Sequence, residues 1–235
     1  VDEAASFFSS NIDDLLTEIA PRIDVPLSTC HGLVKTLVEC GYLYGLNRRR
    51  GFYPTRKLHN LAQTIAAKDT FLSRLAPALE VLRDEARETV IIGTLQEGKV
   101  LYLEVFEGPQ TIRYSAKPGE FKPLHSSAIG KALLAAGGEA LWKRATERAL
   151  AQVTPNSITD SELLRTELRE SERRGYFVTR GENVADVTAV AKALEVEGMM
   201  LGIAIAGPSY RMDPEIEAHA HRLLRGCAEI AEKLS

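Results

Sequence analysis

The stretch PLSTCHGLVKTLVECGYL, residues 26–43, runs almost directly into NRRRGFY, residues 47–53, and reading the two together decides the fold of the first part of the chain. Wound at about 100° per residue, the first stretch gathers Leu27, Cys30, Leu33, Val34, Leu37 and Val38 on one side. Ser28, His31, Gly32, Lys35, Thr36 and Glu39 fall on the other. The upstream DDLLTEIAPRIDVP predicts a shorter helix and a tight turn, and Gly41 supplies the stop for the second helix. GYLYGL and GFYPT then read as two aromatic-rich strands around Asn47, Arg48, Arg49, Arg50 and Gly51, a hairpin with three cations at its tip. A helix whose N-terminal turn offers the small hydroxyls of Ser28 and Thr29 fits a DNA major groove. The basic tip beside it suits phosphates or the neighbouring minor groove. The order is that of a winged helix-turn-helix.

The chain has 235 residues, 29 Lys and Arg against 32 Asp and Glu, and a formal charge of −3. Such a balance excludes a globally basic nucleic-acid coat, so DNA contact must come from local cations, with acidic residues elsewhere screened beyond roughly 10 Å. Cys30, Cys40 and Cys227 form neither a disulfide framework nor a metal-ligand spacing. No apolar run approaches the roughly 20 residues of a membrane span, and VDEAASFF lacks the features of a secretion signal. The expected setting is the cytoplasm, with no membrane partner.

From residue 89 onward the pattern changes to β-branched runs separated by helical segments. TVIIGTLQEGKVLYLEVFEG predicts two strands around Glu97–Gly98, and TIRYSAK a third strand before Pro118–Gly119. SITDSELLRTELRESERRGY predicts a helix opened by a Thr159–Glu162 capping box, buried along Leu163, Leu164 and Leu168, and stopped at Gly175. VTAVAKALEVEGMMLGIAIAGP predicts two more strands, and the final helix is expected to start with Asp213 as N-cap and Pro214 in first position. The class is α+β, helices against a mainly antiparallel sheet. The expected division is a winged helix-turn-helix over 1–57, a helical linker over 58–73 and a second domain over 74–235. In PLHSSAIGKALLA, Ser126 and Ser127 precede a helix whose first N–H groups, around Ala128, Ile129 and Gly130, lack intrahelical partners. The turn reads either as a carboxylate site or as an ordinary N-cap in which Gly130 permits close packing.

LSTCHGLVKTLVECGYL, ETVIIGTLQEGKVLYLEVFEG, PLHSSAIGKALLA, TPNSITDSELLRTELRESERRGY and GIAIAGPSYRM, in that order, resemble the IclR family of transcriptional regulators. The resemblance covers nearly the whole chain. It implies a GAF-like effector-binding second domain, control by a small metabolite, and assembly as a homodimer or homotetramer on a double-stranded DNA operator. Carried over to this sequence, the DNA-reading residues are Ser28, Thr29, His31, Lys35 and Thr36, with Arg48, Arg49 and Arg50 in the wing. Leu27 and Gly32 stand where many members have basic residues, and Pro21 interrupts the preceding helix, so a sensor without operator recognition is the competing reading. The effector pocket carries over to Ser127, Ala128, Ile129, Gly130, Thr179, Arg180, Ala189, Ala204 and Ala206. Alanines where members often have a cysteine and serines offer volume without hydrogen bonds, which points to an organic acid with a bulkier, apolar or aromatic body. Thr179 or Arg180 would meet its carboxylate, although Arg180 reads equally as a solvated strand-end charge.

No catalytic residues, metal or cofactor are expected. His125 and Ser126 are sequence neighbours, a poor arrangement for a base and nucleophile, and no G-x-S-x-G elbow or phosphate loop occurs. His219 and His221, two apart on a helix, point about 200° away from each other and do not make a metal pair.

Overall fold

The computed structural model describes residues 16–46, 51–68 and 70–233. The chain divides into two compact units, Val1–Thr70 and Phe71–Ser235. In the first, helices α1 (Leu16–Arg22) and α2 (Leu27–Glu39) are followed by a hairpin of β1 (Leu43–Leu46) and β2 (Gly51–Pro54), then by α3 (Arg56–Lys68). Pro21 sits in the last turn of α1, which stops one residue later. Gly41 adopts a left-handed φ of 73° and lets Tyr42 N–H return to Leu37 C=O at 2.8 Å, so α2 ends where glycine permits the reversal. Thr55 Oγ1 donates to Gly41 C=O at 2.7 Å and Lys57 Nζ to Cys40 C=O at 2.6 Å, tying the start of α3 to the end of α2.

The core of this unit is Ile19, Ala20, Cys30, Val34 and Leu43, with Phe52 packed against it. It takes only part of the apolar side expected for α2. Cys30 and Val34, one turn apart, are buried, whereas Leu27, Leu33, Leu37 and Val38 are exposed. A core this small meets a helix along one narrow stripe, and the flanking positions have nothing within the described unit to cover them.

The second unit is three-layered. Strands β3 (Thr89–Gln96), β4 (Lys99–Phe106), β5 (Phe121–Lys122), β6 (Phe177–Arg180), β7 (Val187–Val196) and β8 (Met199–Pro208) form one sheet in the order β5-β4-β3-β8-β7-β6, with every pair antiparallel. The tight turns at Glu97–Gly98 and Glu197–Gly198 carry positive φ at both residues, the geometry that matches the twist of a two-residue hairpin. One face of the sheet packs on α4 (Thr70–Ala86) and α9 (Ile216–Lys233) through Val90, Ile92, Val190, Leu201, Ile203 and Ile205. The other carries α5 (Ala128–Ala136), α6 (Gly138–Thr146) and α7 (Ser161–Arg174) on Ile91, Ala191, Ala204 and Ala206. Burial on both faces explains why GIAIAG has no polar alternation.

Four expectations from sequence are corrected. TIRYSAK is irregular, and the edge pairing falls to Phe121–Lys122; the segment is held at Tyr114, whose carbonyl accepts from the buried Thr89 Oγ1 at 2.5 Å. The N-cap of α7 is Asp160, whose carboxylate accepts from the N–H groups of Glu162 and Leu163 at 2.8 and 2.9 Å, a stronger acceptor one residue beyond Thr159. Leu163 is exposed, and Leu164 and Leu168 bury the helix. Asp213 and Pro214 form a 3₁₀ turn (Asp213–Glu215) after a short helix α8 (Ser209–Met212), because the Asp213 carboxylate is taken by Thr188 Oγ1 at 2.9 Å.

Helix α5 lies unusually close to the sheet at Gly202. A Cβ there would stand 3.3 Å from Ile129 Cβ and 3.5 Å from Leu133 Cγ, with the Ile129 γ-methyl nearer still. Gly202→Ala is expected to lower stability by about 1–3 kcal/mol through overpacking. Urea denaturation checks this, and an unchanged midpoint would show that the helix retreats freely.

Candidate functional site

The polar side of α2 is open. Ser28, Thr29, His31, Gly32, Lys35, Thr36 and Glu39 are all exposed, while the opposite stripe at Cys30 and Val34 is sealed. Lys35 Nζ stands 3.8 Å from Glu39 Oε1, a solvated i,i+4 pair of small energy that leaves the ammonium accessible. Arg48, Arg49 and Arg50 lie outside the described residues.

In the second unit, the register of four strands aligns Thr179, Ala189 and Ala206 in one row, with Ala191, Ala204 and Ile91 in the next. The start of α5 lies against this floor of small residues. Its N-cap is Ser127, whose Oγ accepts from Gly130 N–H at 3.2 Å and donates to Pro123 C=O at 2.6 Å. A cavity of about 30 Å³ results, lined by Ile91, Tyr102, Tyr114, Ser127, Ala128, Ile129, Thr179, Asn183, Val184, Val187, Ala189, Ala204 and Ala206. The N–H groups of Ala128 and Ile129 belong to the free first turn of the helix, the end that carries partial positive charge. Thr179 is 4% exposed and its side chain lines the cavity. Burial and the adjoining Tyr114 push the Tyr102 phenol above its ordinary range, so it stays protonated.

Seven of the nine expected pocket residues therefore meet at one cavity, and two do not. Arg180 follows Thr179 on β6, and alternation sends it to the opposite face, where its Nε stands 3.4 Å from Asp213 Oδ1. Gly130 is one position too deep in α5; a Cβ there would lie 2.6 Å from Leu124 Cα, so this glycine serves close packing. The cavity is also smaller than the alanines suggested, because Ile91, Tyr102 and Tyr114 reach into the space. These three had no local signal: two lie on strands named only as strands, and Tyr114 on the segment misassigned as one.

Lys131 was missed as well. It is fully buried, with Nζ 2.8 Å from Glu182 Oε2 and 2.9 Å from Glu167 Oε2. Thr154 Oγ1 donates to Gly181 C=O at 2.6 Å and Ser157 Oγ to Glu182 C=O at 2.7 Å. Together these bonds fix residues 181–184, and so the cavity wall at Asn183 and Val184. Among the described residues no cluster of His, Cys, Asp or Glu suits a metal ion. His219 is buried and its imidazole is held below its ordinary pKa, mainly by desolvation, whereas His221 is exposed.

An exposed hydroxyl and amine face on a helix-turn-helix, and a second unit with a cavity at a helix N-terminus, are the arrangement of a DNA-binding regulator. Residues 63–233 match the family described as Bacterial transcriptional regulator IclR C-terminal, and residues 8–46 match the IclR helix-turn-helix domain. The chain belongs to the IclR family of transcriptional regulators. It is 31% identical to the HTH-type transcriptional regulator BhcR of Paracoccus denitrificans, over 92% of this chain and 79% of that protein. It is 26% identical to the HTH-type transcriptional repressor AllR of Escherichia coli K12, over 91% and 80% respectively. A crystal structure of an IclR homolog from Microbacterium hydrocarbonoxydans complexed with 4-hydroxybenzoate superposes with a TM-score of 0.77 at 25% identity, covering 95% of this chain and 93% of that one. The relatives are regulators, and the chain is a regulator of transcription, not an enzyme.

Replacing Lys131 by Met would leave the Glu167 and Glu182 carboxylates without their counter-charge. A loss of about 3–5 kcal/mol is expected at neutral pH. Desolvation, the largest influence on Glu182, already raises its pKa. A raised carboxyl pKa means that the folded state holds its proton more tightly than the unfolded chain, so its stabilising contribution is present at acid pH and is lost as pH rises through the folded pKa. The Lys131→Met deficit should accordingly narrow on acidification through the carboxyl range. Denaturation at neutral and acid pH measures it, and a constant deficit would contradict a charge mechanism.

Proposed function

We propose that the chain is a cytoplasmic regulator controlled by a small organic acid bound at the cavity, and that it reads its operator as a homodimer or homotetramer. Ser28, Thr29, His31, Lys35 and Thr36 face base edges, and Arg48, Arg49 and Arg50 grip phosphates. The observation that carries the effector reading is that Thr179, a buried residue, lines one cavity with Ala128 and Ile129 of the first turn of α5, over a floor of alanines. A carboxylate there would accept from Ala128 and Ile129 N–H and from Thr179 Oγ1, in buried surroundings that strengthen each bond. The 4-hydroxybenzoate on the Microbacterium relative supports the class of ligand. The 31% identity to a transcriptional regulator across 92% of this chain supports retention of DNA binding over the sensor alternative. Leu58, Leu61 and Ile65, exposed along one side of α3, support pairing through the DNA-binding half.

Two outcomes test this reading. An organic acid at 100 times its dissociation constant should stabilise the protein by roughly 2.7 kcal/mol, and Thr179→Val should weaken that acid about tenfold or more while leaving the unliganded fold intact. Thermal unfolding with and without the acid decides it; equal affinity in the variant would remove Thr179 from the site. On DNA, alanine at Arg48, Arg49 and Arg50 should weaken all duplexes alike and reduce the salt slope by about one unit per lost phosphate contact. Changes at His31 or Lys35 should instead alter sequence preference. Salt-dependent anisotropy titrations separate the two, and an unaltered slope in the triple variant would contradict the wing.

A further inference from the structure

We infer that the effector is an amphipathic monocarboxylate longer than the cavity, its carboxylate inside and its apolar tail in a basin on the outer side of Tyr114, Val184 and Val187; this rests on the reading of the cavity as the acid site. The inner cavity measures about 30 Å³, whereas a water molecule needs at least about 10–15 Å³ on the same measure, so the space is on the scale of a carboxylate head and not of a long chain. Beyond it lies an open basin of about 590 Å³. Tyr114, Val184 and Val187 line both spaces, so the cavity and the basin adjoin at these three residues.

The basin is chemically suited to a tail and not to a head. Ile112 and Tyr210 on its rim are each 66% exposed, and Pro208 and Val184 extend the apolar surface between them. Large apolar side chains converging on one concavity mark a place where apolar surface is to be covered. Its cations are already engaged: Arg113 Nη2 stands 2.5 Å from Glu107 Oε2, and Lys122 Nζ stands 2.7 Å from Glu120 Oε2. Arg211, just beyond Tyr210, is committed to the buried Glu88, with Nη2 2.9 Å from Glu88 Oε2. The Asp186 carboxylate also lines the basin and repels an anionic head. The inner cavity has the opposite character, with helix N–H groups, the Thr179 hydroxyl and no carboxylate in its lining. Ligand polarity is therefore set with the charged end inward.

The experiment titrates the full chain with butanoate, hexanoate, octanoate and decanoate below their micellar concentrations, using calorimetry, alongside the alcohols of matching length. Affinity should rise about fourfold per added methylene while the tail fills the basin. The alcohols should bind at least tenfold more weakly than the acids. Ile112→Ser with Tyr210→Ser, both on exposed side chains, should flatten the chain-length dependence, with butanoate, whose chain is shortest, affected least. Short acids that bind with no gain from length, or a gain that survives the double variant, would overturn the tail placement and leave the cavity reading standing. Alcohols equal to acids would overturn the inward carboxylate. Failure of every acid to bind would bring down the cavity reading and this inference with it.

Discussion

The contact on which the sensing half depends is the close seating of α5 on the small residues of β7 and β8. Gly202 receives Ile129 with no side chain between, and Ala204 and Ala206 continue the same face toward the end of the helix. A sheet of larger residues would hold the helix about one side-chain layer farther out, and the first turn would then face solvent. Because it sits low, the free N–H groups of Ala128 and Ile129 are buried against a hydroxyl and a row of methyl groups. That is where a low dielectric strengthens a charge-assisted hydrogen bond.

Electrostatics then fixes what packing leaves loose. Lys131 lies on α5, Glu167 on α7 and Glu182 just after β6, so one ammonium joins three separate parts of the fold. A buried ion group of this kind adds little net stability over apolar residues of the same shape, but it is severely destabilising when broken, and it therefore acts mainly to enforce one arrangement. The arrangement enforced here is the wall of the cavity, since Asn183 and Val184 follow Glu182 directly. Glu88 and Arg211 do the same on the outer side: their bidentate pair ties the start of β3 to the short helix after β8, near the rim of the basin.

How much of this was legible in the sequence depended on the range of the forces involved. The hairpin at Glu97–Gly98 and the stop at Gly175 were readable because backbone geometry at those residues is a local matter. The open polar side of α2 was readable from helical period alone, but its apolar side was not, since how much of that stripe is covered depends on the size of the small core it meets. Family likeness brings Ser127 and Thr179 to the cavity, and of the two readings open for Arg180 strand alternation favours the solvated strand-end charge. Tyr102, Tyr114 and the Lys131 group were invisible, because each owes its role to partners tens of residues away. Asp160 displaced Thr159 as a cap for a reason that composition does show: a carboxylate is the stronger acceptor at a helix start.

The molecule therefore has two surfaces of different kinds. On α2 a polar face is open to solvent, and at α5 a buried helix end borders the cavity proposed for a carboxylate; exposed apolar residues also line one side of α3 and the basin rim. The most direct measurement of the central claim is an amide NMR titration of the full chain with a binding organic acid. Saturable downfield shifts of the Ala128 and Ile129 N–H protons, with those of His31 and Lys35 unmoved in the absence of DNA-half rearrangement, are the result predicted. Saturable binding that leaves both α5 amides in place would contradict it.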